Sequence, residues 1–186
     1  MDLRWRRLEM KNFYLSWEQI ESGILEIVHQ LQVDSWKPDI IVGIFRGGST
    51  PAIMLGNYLN VKTYSLDVRL RDNKGSVESN NTLAQLAFIN KMNVLIIDDI
   101  NDCGDTINWV IEDWRNICQV VDIEKVWGKN LRSAVLVENA GSSILTHYNA
   151  IDIDKREEDV WVVFPWERFW RRNLKELKCP KTCKKI

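Results

Sequence analysis

The sequence predicts an α/β domain in which a mostly parallel sheet is covered by helices on both faces. Three observations predict it. Apolar runs of strand length alternate with stretches of helical periodicity along the chain. Two of the strand runs end in glycine-bearing loops that lead straight into helices, the arrangement that places ligands at the carboxyl ends of parallel strands. The 186 residues suit one domain, long enough to bury a sizeable core.

The first helix opens on a capping box, Ser16 with Gln19, and continues with Ile20, Ile24, Ile27, Val28 and Leu31 at helical spacing. Residues 39–44 then read as a buried strand. Gly47 and Gly48 follow it, permitting unusual backbone angles beside Arg46, whose guanidinium suits an oxygen-rich anion. A helix over about 50–58 accommodates Pro51 in its first turn. Residues 62–68 form the next strand. The segment 69–81, RLRDNKGSVESNN, is polar and long for a connection, which points to a lid or a disordered stretch.

The stretch 93–106, NVLIIDDINDCGDT, carries the most chemistry. A buried strand over 93–97 delivers Asp98 and Asp99 to its end, and a helix begins near Asp105 or Thr106. Gly104 allows close approach of the backbone to a ligand, and the first helical amides lack intrahelical partners, so they can bind an anion. The two carboxylates suit sugar hydroxyls and a hydrated divalent cation, since they only accept hydrogen bonds and hard cations take oxygen. A strand ending in solvated acids is the plain alternative. Ile107, Val110, Ile111, Trp114, Ile117 and Cys118 share one side of the helix that follows, and 132–137 is the next strand.

Composition narrows the class. With 45% hydrophobic and 27% charged residues the chain is neither disordered nor fibrous, and a net charge of −1 gives no reason to expect nucleic acid as a partner. Arg168, Arg171, Arg172, Lys175, Lys178, Lys181, Lys184 and Lys185 crowd the end and read as a solvated helix and tail. No apolar run approaches the ~18 residues that span a bilayer, so no membrane is expected, and the arginines near the start precede no signal-like apolar region. A cytoplasmic location is the expectation. Cys179 and Cys183 form a C-x₃-C pair without a second pair or a nearby histidine, so no structural metal is expected. His29 and His147 read as packing or surface residues.

Residues 98–106, DDINDCGDT, resemble the 5-phosphoribosyl 1-pyrophosphate (PRPP) motif of the type I phosphoribosyltransferases, D-D-x-x-D-T-G-x-T, with Cys103 where threonine is common. Two more stretches resemble the bacterial xanthine-guanine branch. Residues 39–51, DIIVGIFRGGSTP, look like its strand and R-G-G loop, and 161–167, WVVFPWE, its W-x-x-x-P-W-[DE] segment. Trp17 and Glu18 also fit, and the resemblance runs over about 13–167. It implies a Rossmann-like type I phosphoribosyltransferase fold with a small hood at the C-terminal part, an extension over 1–12, and a basic helix and tail over 168–186.

The activity implied is Mg2+-dependent transfer of the phosphoribosyl group from PRPP to a purine-type nucleobase in nucleotide salvage, by a homo-oligomer, dimer or tetramer. In that reading Asp102, Cys103, Gly104, Asp105 and Thr106 bind the 5′-phosphate, and Asp98 and Asp99 the ribose. Asp99 also holds Mg2+ through water. Phe45, Arg46, Gly47 and Gly48, with Arg69 and Arg71 of the lid, bind pyrophosphate. Trp161 stacks on the base and Asp102 acts as general base. The branch's A-K-P-A-G lysine, a donor to the exocyclic oxygen of the purine, is matched by Glu138 in the segment 137–141, VENAG. An ionised carboxylate cannot donate but can accept from an amino group. Glu138 is therefore an expected base contact that argues against a 6-oxopurine and admits an amino-bearing or otherwise modified base; alternatively Asn139 supplies the donor, or Glu138 turns away to solvent. A PRPP-binding regulatory or nucleic-acid-binding module is the alternative. An NTPase is excluded for want of G-x-x-x-x-G-K-[ST].

Overall fold

Alternation of buried aliphatic strands with amphipathic helices produces the order β1 (Lys11–Tyr14), α1 (Trp17–Val33), β2 (Ile40–Phe45), α2 (Ser49–Leu59), β3 (Lys62–Asp67), α3 (Asn81–Phe88), β4 (Val94–Asn101), α4 (Asp105–Ile117), β5 (Leu131–Asn139), β6 (Tyr148–Ile153) and β7 (Val160–Val163), closed by a short 3-10 helix, Pro165–Phe169. The structure, a computed structural model, describes residues 11–68, 81–119 and 125–169. Five strands pair in parallel in the order β3-β2-β4-β5-β6. The α/β expectation holds.

The sheet separates two cores because successive side chains of a strand point to opposite faces. On one face Ile41, Leu95, Ile97 and Leu136 pack with Ile20, Ile24, Ile27 and Leu31 of α1 and Leu55 of α2. On the other, Ile40, Val42, Ile44, Val94 and Ile96 meet Leu83 and Ala87 of α3 and Val110 and Trp114 of α4. Burial on both faces explains why these strands read as unbroken apolar runs. Helix α1 begins as its capping box requires: Gln19 N donates to Ser16 Oγ at 3.2 Å and Ser16 N to Gln19 Oε1 at 2.9 Å.

Strand β4 runs on to Asn101, four residues past the apolar run, and β5 reaches Asn139, so Glu138 is a strand residue. The elements with no sequence forecast are β1, α3, β6 and β7. The hood at the C-terminal part also takes in the start of the domain: β1 pairs in parallel with β7, from Lys11 opposite Val160 to Tyr14 opposite Val163. No described helix is long and apolar enough to cross a membrane. Arg69, Arg71, Cys179, Cys183, the 1–10 segment and most of the basic C-terminal segment lie outside the described residues.

Candidate functional site

Unequal strand lengths open the site. Pairing of β2 with β4 ends at Gly43 opposite Ile97, while β4 continues beside β5 as far as Asn101 opposite Glu138. The turn over 45–48, whose Phe45–Arg46 peptide is cis, crosses the edge of β4 thus freed. Its glycines are required by proximity and not by backbone angle, which corrects the conformational reading of Gly47 and Gly48. Gly48 has an ordinary φ of −70°, whereas a Cβ there would lie 2.3 Å from the Ile97 carbonyl oxygen. A Cβ on Gly47 would lie 2.2 Å from Asp99 Oδ2. Any side chain there would displace Asp99.

A cavity of about 870 Å³ sits over these strand ends. Phe45, Arg46 and Gly47 wall one side, and Asp98 to Ile107 form the floor and the far side. Trp161, Phe164, Trp166 and Glu167 of the hood close over it. Phe164 and Trp166 stack at 5.0 Å, and Trp17 lies 5.9 Å from Trp166. Gly48 is buried behind the turn.

Asp98 and Asp99 share this floor although neighbours on a regular strand diverge. Desolvation holds the Asp98 carboxyl well above its ordinary range, reinforced by the charge of Asp99. Asp99 is pushed up to about 6, by burial first and then by the carboxylate of Glu167. Among the described residues no three acidic, histidine or cysteine side chains are placed to enclose a metal ion. The donor set fits Mg2+ held through one or two carboxylates and water, the mode that ion prefers. A cation there would relieve the crowding of like charge.

The loop after β4 lines the cavity on its way into α4. Gly104, at φ 91°, caps α4 in the left-handed region that glycine enters freely. Cys103 is exposed, and partial desolvation of its sulfur, with Asp105 and Asp102 nearby, raises its thiol pKa. Asp102 Oδ2 accepts from Lys155 Nζ at 2.9 Å, and the Asp102 carbonyl accepts from Asn139 Nδ2 at 2.8 Å. Lys155 Nζ therefore faces the cavity beside Asp102. No sequence signal marked it, because it lies in a run of charges, Asp152 to Glu158, that reads as a solvated turn.

Glu138 does not reach the cavity, which overturns its expected contact with a base. Its side chain is buried, and its oxygens are taken: Oε1 accepts from Asn101 Nδ2 at 2.6 Å, and Oε2 from Thr146 N at 2.9 Å and Thr146 Oγ1 at 2.6 Å. Apart from Gly48, the other expected residues that the structure describes, Phe45, Arg46, Gly47, Asp98, Asp99, Asp102 to Thr106 and Trp161, line one cavity.

Comparison with known proteins gives the family. The family described as "Phosphoribosyl transferase domain" matches residues 13–168. A xanthine-guanine phosphoribosyltransferase of Cereibacter sphaeroides is 24% identical over 166 residues, covering 84% of this chain and 87% of that protein. The solved purine phosphoribosyltransferase of Pyrococcus horikoshii superposes with a TM-score of 0.62 at 26% identity, over 86% of this chain and 96% of that one. The Helicobacter pylori xanthine-guanine-hypoxanthine phosphoribosyltransferase superposes with a TM-score of 0.62 at 18% identity, over 84% and 94%.

Proposed function

Because the chain belongs to the phosphoribosyl transferase domain family, we propose that it transfers the phosphoribosyl group of PRPP to a ring nitrogen of a purine-type base, with Mg2+, releasing pyrophosphate and a nucleoside monophosphate. The observation that carries this reading is the meeting of four parts around one cavity. These are the phosphate cradle over 102–106, the Arg46 turn, the Asp98–Asp99 pair between them, and Trp161 in the hood.

In this reading the cradle amides and the Thr106 hydroxyl bind the 5′-phosphate at the start of α4. Asp98 and Asp99 accept from the ribose hydroxyls and from metal-bound water. Arg46 and the turn amides hold pyrophosphate. Mg2+, when bound, offsets the negative charge of the leaving pyrophosphate. The bond from the anomeric carbon to the pyrophosphate oxygen breaks and one to the base nitrogen forms, while the proton on that nitrogen passes to Asp102. The reacting carbon passes through an oxocarbenium-like state, so the residues act by position, electrostatics and exclusion of water.

Lys155 decides the base. Its ammonium and the Asp102 carboxylate, 2.9 Å apart, present a donor beside an acceptor. That edge complements a ring N–H next to a carbonyl oxygen, as on a 6-oxopurine. The donor thus comes from the turn after β6, while β5 places Glu138 in the interior. Nucleotide salvage in the cytoplasm, by a dimer or tetramer, completes the proposal; exposed Ile53, Tyr58 and Tyr64 offer apolar surface to a partner subunit. The test is pyrophosphate release with PRPP, Mg2+ and a panel of 6-oxopurines, 6-aminopurines and pyrimidines. Release with 6-oxopurines, and loss of oxo-over-amino preference in Lys155→Met, is the expected result. No release with any base refutes the transferase.

A further inference from the structure

Glu138 is the buried carboxylate that the proposed reaction leaves unused, and its partners lead to the cradle. It lies opposite Asn101 in the β4–β5 register, and both side chains are buried. Asn101 spends its two amide protons on Glu138 Oε1 and on the Ile144 carbonyl, each at 2.6 Å. Glu138 Oε2 takes both the N–H and the hydroxyl of Thr146. One carboxylate and one amide thereby anchor the connection from Ala140 to His147 against the end of β4.

That connection supports the cradle from behind. Ser143 donates to the Cys103 carbonyl twice, from N at 3.1 Å and from Oγ at 2.7 Å, and Asn108 Nδ2 at the start of α4 donates to Ser143 Oγ at 3.0 Å. The fit is close, since a Cβ on Gly104 would meet Ser143 Oγ at 2.3 Å. In a planar trans peptide the N–H points opposite to the carbonyl. Holding the Cys103 carbonyl against Ser143 therefore aims the Gly104 N–H the other way, toward the cavity.

We infer that Glu138 is a positioning residue. Through Thr146, Asn101 and the connection carrying Ser143, it sets the backbone amides that bind a phosphate monoester, without touching the ligand. The inference rests on the reading of the 102–106 loop as the 5′-phosphate cradle. Its substitution acts selectively, because the turn over 45–48 shares none of these hydrogen bonds.

The test is calorimetric titration of the whole protein with ribose 5-phosphate and, separately, with magnesium pyrophosphate. Glu138→Gln puts an amide N–H against a donor, either Asn101 or Thr146, where a buried donor left unpaired is costly. It is expected to weaken ribose 5-phosphate about tenfold, a loss of ~1.4 kcal/mol, and to leave pyrophosphate within about twofold. Ser143→Ala, at an exposed side chain, gives the same selective loss without disturbing the interior. Thr146→Val follows Glu138→Gln, whereas Thr146→Ser, which keeps the hydroxyl, binds as the wild type does. Unchanged ribose 5-phosphate binding in Glu138→Gln or Ser143→Ala, or equal weakening of both ligands, overturns the inference. A wild-type protein that binds neither ligand sinks the transferase reading as well, which separates the two failures.

Discussion

The two ends of the central sheet are built on opposite electrostatic plans. At the amino end of β5, Arg132 pairs with Asp34 at 2.5 Å, donates to the Gly128 carbonyl at 3.1 Å and to the Tyr148 hydroxyl, and lies over the rings of Trp36 and Tyr148 at 5.0 and 5.7 Å. Tyr148 in turn donates to Asp34, and Trp36 Nε1 to the Lys129 carbonyl. At the carboxyl ends, Asp98, Asp99 and Glu167 bring like charges into a desolvated pocket. One end satisfies its polar groups internally. The other keeps an unfavourable arrangement that a charged ligand would relieve, so the proposed site and the internally paired polar cluster lie at different ends of the same strands.

The sharpest way to break that division is Asp102→Asn. It is expected to lower turnover by about 10²-fold or more, the range for a lost acid/base group, with little change in melting temperature. Steady-state kinetics beside thermal unfolding reads both, and near-normal turnover removes Asp102 from the role. Arg132→Ala is the converse. It should cost about 2 kcal/mol in urea unfolding, from the pair and the two ring contacts together, while kcat/KM of the remaining folded protein stays within about twofold.

Asp99→Asn sharpens the comparison from the other side. Removing a buried, crowded charge should raise stability by about 1 kcal/mol at neutral pH while activity is lost, the trade-off expected of a functional group held at a cost.

The smallest effects are in the pH dependence, where the two ends have opposite signs. Burial, with the Arg132 charge, lowers the His147 pKa from 6.5 to about 4, and Ser133 N donates to its Nδ1 at 3.1 Å, which requires an unprotonated nitrogen. The unfolded chain takes up that proton first, so stability falls as pH drops from 6.5 toward 4. Asp99 is raised from 3.8 to about 6, so the unfolded chain ionises first and stability falls as pH rises through that window. Thermal melts from pH 4 to 7 should therefore lose the histidine slope in His147→Gln and the opposing slope in Asp99→Asn. Slopes identical to the wild type in both variants would refute the assignment.

What could be read in advance was local. Ser16 and Gln19 lie three residues apart and cap each other whatever the rest of the chain does. The acids, Gly104 and Thr106 lie within one strand–loop–helix, so the arrangement that floors the cavity showed in nine consecutive residues. Glu138 misled because its position was matched to a ligand-facing residue, while its environment is set by Asn101 and Thr146. Strand β1 was invisible because its partner β7 lies at the far end of the domain and its own four side chains are exposed.

By itself the sequence determined the α/β alternation, the cap of α1 and the loop chemistry at the ends of β2 and β4, because each depends on neighbours within a few residues and on the two backbone periodicities. The tertiary structure alone decided which groups meet in the cavity. Lys155 reaches Asp102 across 53 positions, and the closeness of Gly47 to Asp99 follows from where two strands stop pairing. Such meetings depend on register and on chain crossing, which no local pattern of residues encodes.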